Sequence, residues 1–346
     1  MTVLTETSFK ILELPTDILT YLARECLTPP TAVALSLTCK ALYNLFLPHL
    51  HTTGRLPLNN KGAKAELCEL LERDVSDEYY FCPICPSLHR YLPSDGPTSS
   101  DFALNRKALS CRRCRWTLGD DRFTLGLHHV RLALNRHLYG PSSGIPLENF
   151  EVSCLTHTYP SWSERWSAKI VDDDLFLSST RTLSYGSGYM KLLDGFYASK
   201  YKLCEHTLLL DVPAVRPRPP YGMEPCTDVL GHCRQCFTDW AVTIEKPQLT
   251  VRGGFKQQLY NFTIVTYHRF PSNRAPAGGA DQDSRFDYGT KILPLYRRAG
   301  LVRDIWHGCA KRTEKAGRWV RVGVFHAEDG RPNRYGVFDE EDPYMG

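Results

Sequence analysis

Two clusters of paired soft ligands, spaced almost alike, constrain this chain more than any other feature. The first runs Cys82-Pro83-Ile84-Cys85 and then Cys111-Arg112-Arg113-Cys114, with residues 86–110 between the halves. The second runs Cys204-Glu205-His206 and then Cys233-Arg234-Gln235-Cys236, with residues 207–232 between. Each half offers two ligands within four residues, and two halves must meet to complete a tetrahedron. That is the pattern of a structural zinc site. Thirteen cysteines scattered at random over 346 positions would give only about 0.5 pairs at the C-x-x-C spacing. The chain has three.

Disulfides explain the cysteines less well. Their number is odd, and Met1 to Lys10 is polar rather than an apolar leader. An intracellular setting, cytoplasmic or nuclear, is therefore expected, where thiols stay reduced and paired cysteines bind metal. The expected ligands are Cys82, Cys85, Cys111 and Cys114 for one zinc, and Cys204, His206, Cys233 and Cys236 for the other. Cys226 or His232 can replace a ligand in the second set. Four candidates per cluster point to closed structural sites, because a catalytic zinc keeps an open position. The H-E-x-x-H and H-x-E…P-C-x-x-C patterns of zinc hydrolases and deaminases are absent. Cys26, Cys39, Cys68, Cys154 and Cys309 stand alone and are expected to be small buried hydrophobes.

No run approaches 18 apolar residues, so no membrane span is expected. The net charge of +4 is mild and unevenly spread. Residues 1–78 carry 7 Lys/Arg against 10 Asp/Glu, and residues 86–137 carry 9 against 4. Arg112, Arg113 and Arg115 beside Trp116 could meet nucleic acid. A solvated charged face is the commoner meaning of such a group, so nucleic acid is not the expected partner. No phosphate-binding glycine loop and no Ser/His/Asp or Cys/His nucleophile grouping can be identified.

Leu12 to Leu50 reads as short apolar helices. Pro15 suits a first helical position, with Asp17 in the first turn. Thr28 is a candidate N-cap before Pro29, and the following helical pattern runs to Pro48. The apolar arc over Ile18, Leu19, Leu22, Ala23, Cys26 and Leu27 is wider than one core needs. Part of it should meet another protein or the rest of the chain.

Leu14-Pro15, Asp17-Ile18-Leu19 and Leu22, followed by Leu35, Leu37, Cys39-Lys40, Leu42 and Leu45, resemble the F-box. The Pro29-Pro30 pair departs from the polar turn that many F-boxes carry. The resemblance implies a three-helix module over residues 8–52 that docks on the Skp-family adaptor of a cullin–RING ubiquitin ligase. It places Leu14, Pro15, Ile18, Leu22, Leu35 and Leu37 at or near that contact. More loosely, the chain is similar to a group of fungal F-box proteins. They carry C-P-x-C-x-x-x-H-x-[FWY], matched here from Cys82 through His89 to Tyr91. A later C-x-H and C-x-x-C-x-x-[DW] match Cys204, His206, Cys233, Cys236 and Asp239-Trp240.

Behind the helical module, residues 61–78 and 126–138 have helical spacing, and a short helix is expected within 299–311. Residues 150–156, 168–177, 180–185, 240–245 and 258–270 read as strands. The expected fold is α+β: an F-box followed by a mixed body over residues 53–346, pinned by two zinc ions. The expected function is substrate recognition for a Skp/cullin/F-box-type ligase, with an unknown protein substrate and no catalytic residues of its own. The alternative is a zinc-dependent nucleic-acid-binding protein with a helical interaction segment.

Overall fold

The computed structural model describes residues 11–54, 60–92, 94–98, 123–155, 162–185, 201–215, 224–245, 248–252, 255–271, 299–312 and 319–321. The chain is mixed α+β. Among these residues it divides into two compact units, one ending at Tyr91 and one beginning at Leu92. The first unit therefore takes in more than the helices of residues 8–52.

Unit one is mostly helical. Helix α1 (Thr16–Tyr21) starts behind Pro15 and runs into a single π-helical stretch, Leu22–Cys26. Thr28 caps α2 (Pro29–Ser36), with its hydroxyl oxygen 3.4 Å from the Thr31 N–H, and Pro29 sits where a missing N–H costs nothing. The same hydroxyl donates to Glu66 Oε1 at 3.0 Å, tying α2 to α4 (Lys61–Glu72). Asn60 caps α4 by accepting from Gly62 and Ala63 at 2.9 and 3.2 Å. Helix α3 (Lys40–Thr52) does not stop at Pro48 but carries it inside its last turns. Leu19, Ala23, Val33, Leu42, Phe46, Leu50 and Leu67 form the core between these helices.

A hairpin of β1 (Tyr79–Cys82) and β2 (Ser87–Arg90) closes the unit. The Phe81 N–H donates to Glu72 Oε1 at 2.9 Å, and the Tyr91 hydroxyl donates to the Ser76 carbonyl at 2.7 Å. These bonds fasten both strands to the chain that leaves α4.

Unit two is built on an antiparallel sheet. Its strands are β3 (Val152–Leu155), β4 (Ser163–Val171), β5 (Asp174–Tyr185), β8 (Cys226–His232), β9 (Thr238–Ile244), β10 (Gln248–Arg252) and β11 (Phe255–Phe270). The order is β3-β4-β5-β11-β9-β8, with β10 also paired to β11. A small hairpin of β6 (Lys202–Cys204) and β7 (Thr207–Leu208) adds its own pair, and β12 (Ala310–Arg312) pairs with β13 (Trp319–Arg321). Helix α5 (Leu127–Tyr139) and the short α6 (Leu301–Trp306) complete the unit.

The central strands are buried on both faces, as alternation requires. Tyr260, Phe262 and Ile264 of β11 pack with Trp240, Val242 and Ile244 of β9 on one face. Tyr267 and Phe176 pack with Val302 and Ile305 of α6 on the other. Asp239 Oδ2 accepts from the backbone N–H groups of Val302 and Arg303 at 2.6 and 3.2 Å, which fixes the start of α6.

Candidate metal centres

The second ligand set comes together on the sheet face of unit two. One ligand atom from each of Cys204, His206, Cys233 and Cys236 lies within 4.8 Å of all the others. Cys204 ends β6, and His206 sits in the turn to β7. Cys233 and Cys236 occupy the turn joining β8 to β9. That turn is closed by Cys233 N–H on the Thr238 carbonyl at 2.9 Å and Thr238 N–H on the Cys236 carbonyl at 2.8 Å. The Gln235 N–H points at Cys233 Sγ, 3.3 Å away. A backbone donor aimed at sulfur stabilises a thiolate.

The three sulfurs are buried with Trp162, Leu203, Leu209, Val212 and Trp240, and His206 is exposed. Their electrostatics suit a cation. Hydrogen bonds from Cys204 and Cys236, with the Gln235 N–H, hold the Cys233 thiol well below its ordinary pKa. Hydrogen bonding to Cys233 pushes Cys204 up, and hydrogen bonding to Cys204 and Cys233 pushes Cys236 up. A divalent ion at the centre of the three sulfurs would stabilise all three thiolates together, so the donor set fits a metal.

Neither alternative ligand joins this group. The Cys226 thiol is directed at the Val242 carbonyl, 3.8 Å away, and His232 ends β8 opposite Asp239.

Cys82 and Cys85 also belong to a cluster, and its third member is His89. The sulfurs and a ring nitrogen of His89 all lie within 4.8 Å of one another, with Cys85 Sγ 2.8 Å from His89 Nε2. Cys111 and Cys114 lie outside the described residues, as do Arg112, Arg113, Arg115 and Trp116. His89 was not among the ligands expected from spacing. The signal for it was present, since it is the histidine of the C-P-x-C-x-x-x-H match. Both clusters can hold a metal ion.

The isolated cysteines do not all behave as small core residues. Cys39, Cys68 and Cys154 are half-buried, but Cys26 and Cys309 are exposed. Burial raises the Cys68 thiol pKa.

The residues assigned to partner contact lie on α1, α2 and their flanks. Pro15 is exposed, as are Ile18 at 47% and Leu37 at 50%. Leu14 and Leu35 pack partly against the core of unit one, and Leu22 is half-buried in the π-helical stretch. Among the described residues no helix is long and apolar enough to cross a membrane.

Comparison with known proteins adds no relative. The chain matches no model of a protein family, no curated protein and no solved structure.

Proposed function

We propose that this chain is a non-catalytic substrate-recognition subunit of a Skp/cullin/F-box-type ubiquitin ligase, with two structural zinc ions in its recognition region. Zinc is the metal favoured by three thiolates and one imidazole set for tetrahedral binding. In this reading Cys204, His206, Cys233 and Cys236 close one site, and Cys82 and Cys85 are ligands of the other. Closed sites of this kind shape a surface rather than activate water.

The observation that carries the ligase reading is the division of apolar residues on the N-terminal helices. Leu19, Val33, Leu42 and Phe46 fill the core, while Ile18 and Leu37 remain 47% and 50% exposed. These two lie at positions that the F-box resemblance assigns to the adaptor. Exposed apolar side chains at matched positions suit docking on a Skp-family adaptor.

The test is a pull-down of the full chain with a Skp-family adaptor. The wild-type protein should bind, and Ile18→Glu combined with Leu37→Glu should not, with unchanged circular dichroism. Both positions are exposed enough for glutamate to leave the fold intact. Failure of the wild-type protein to bind overturns the proposal.

A further inference from the structure

We propose that His89 is a metal ligand, so that the β1–β2 hairpin alone supplies three ligands, Cys82, Cys85 and His89, to the first centre. This inference rests on the metal reading above and adds a histidine to Cys82 and Cys85, the two cysteines of the hairpin that spacing had suggested for that centre.

The hairpin geometry brings the three together for a simple reason. Side chains opposite each other in an antiparallel pair share a face, and every second residue along a strand returns to it. Tyr80 pairs with His89, and Cys82 pairs with Ser87. Cys82 and His89 are therefore diagonal neighbours on one face. Cys85 lies in the turn between the strands, where the Ser87 hydroxyl donates to its carbonyl at 2.8 Å. The turn folds Cys85 Sγ back to His89 Nε2.

A buried histidine bonded to one thiol would explain the Cys85 contact alone. It would not explain why Cys82 Sγ also lies within 4.8 Å of both groups. Cys82 is fully buried and His89 is 9% exposed, so three ligand atoms converge where little water reaches. Two thiolates and one neutral imidazole also balance the charge of a divalent ion. The support is independent of the ligands: Glu72 holds the Phe81 N–H, and Tyr91 holds Ser76. The cradle is thus positioned by α4 and its exit loop, as a preorganised metal site requires.

The experiment uses the full chain. Metal analysis of the wild-type protein should give two zinc ions, and His89→Ala should give one. His89→Cys, which restores a soft ligand, should return to two. In proton–cadmium correlation spectra of the cadmium-loaded wild-type chain, each cadmium should couple to an imidazole proton as well as to cysteine β-protons. Two ions retained by His89→Ala, or a cadmium coupled to the β-protons of Cys82 and Cys85 but to no imidazole proton, overturns the role of His89 while leaving the metal reading intact. A wild-type chain that binds no zinc overturns both.

Discussion

The Thr238 hydroxyl lies 3.2 Å from Cys236 Sγ. The same oxygen is 3.0 Å from His268 Nδ1. With a metal bound, Cys236 would be a thiolate that only accepts, so the hydroxyl would donate to the sulfur and accept from an Nδ1–H. His268 is buried, and desolvation holds its imidazole pKa down at about 3. The ring is neutral, and its Nε2 must then accept from Thr266 at 3.1 Å. Thr266 in turn accepts from Ser179, 2.7 Å away across β5 and β11. A metal-bound thiolate at the end of the chain would set the direction of four hydrogen bonds and the tautomer of a histidine.

Thr238→Val keeps the shape of the side chain and removes the donor. Loss of such an outer partner should weaken metal affinity about 10–100-fold. Thr238→Ser should retain most of it. Competition against a chromophoric chelator measures both, and an unchanged affinity for Thr238→Val would show that the hydroxyl does not support the site.

Removing the metal should cost unit two much of its order. Cys204, Cys233 and Cys236 are part of the core packed on β9 and β11. Structural zinc supplies about 10–16 kcal/mol, comparable to the roughly 5–15 kcal/mol stability of a whole domain. After chelation, hydrogen exchange should accelerate first in β6–β7 and in the turn between β8 and β9. Acid should act in the same direction, because Cys204 and Cys236 have raised pKa values without a cation and protons compete with metal for them. Protection factors unchanged by chelation would sink the structural role.

Much of this was legible in the sequence, and the exceptions have physical causes. The caps at Thr28 and the strand at 258–270 follow from local chemistry and alternation. The hairpin of β4 and β5 was misplaced, because residues 168–177 and 180–185 read as two strands parted near Ser178. The turn is instead at Asp172-Asp173, where φ is 48° and 63°, with Val171 paired to Asp174. Two left-handed residues make the tight turn that matches strand twist, but Asp-Asp is a weaker signal for it than Asn-Gly. Strand β8 was missed because an edge strand with exposed Val229 and Leu230 has no alternation to display. The grouping of Cys204, His206, Cys233 and Cys236 was readable because a candidate metal site shows itself in the fixed spacing of its ligands. Thr238, His268, Thr266 and Ser179 were not, because cross-strand register alone joins them.

Ligand identity in the second centre can be separated from mere proximity. Cys226→Ser should leave metal content unchanged, since that thiol faces the Val242 carbonyl. Cys204→Ser and Cys233→Ser should each lose one ion. Loss of metal in Cys226→Ser with retention in Cys204→Ser would reassign the site.

Gly231 pairs with Trp240 between β8 and β9. A Cβ at Gly231 would overlap the Trp240 indole nitrogen. Trp240 is packed beside the three cysteines, so it has little room to yield. Gly231→Ala should therefore destabilise unit two by about 1–3 kcal/mol, the usual range for overpacking. A lower urea midpoint at unchanged m-value would register it, and an unchanged midpoint would show that the indole moves freely.

Arg181 and Glu164 face each other across β4 and β5 as a buried ion pair, with side chains 7% and 0% exposed. The guanidinium lies over the rings of Trp166 and Tyr201, at 5.4 and 4.8 Å. It also reaches the Lys202 carbonyl at 3.4 Å, two residues before Cys204. The pair thus ties the sheet to the strand that carries Cys204 of the candidate metal centre. Truncating one partner leaves the other charge buried and unmatched, which costs about 3–5 kcal/mol. Glu164→Ala should show that loss in urea unfolding. Replacing both, Glu164→Leu with Arg181→Met, should recover most of it, because the desolvation penalty goes with the charges. The double variant should still bind metal more weakly than wild type, since the bond to Lys202 is gone. A Glu164→Ala protein as stable as wild type would mean that water reaches Arg181 and the pair is not the tie described.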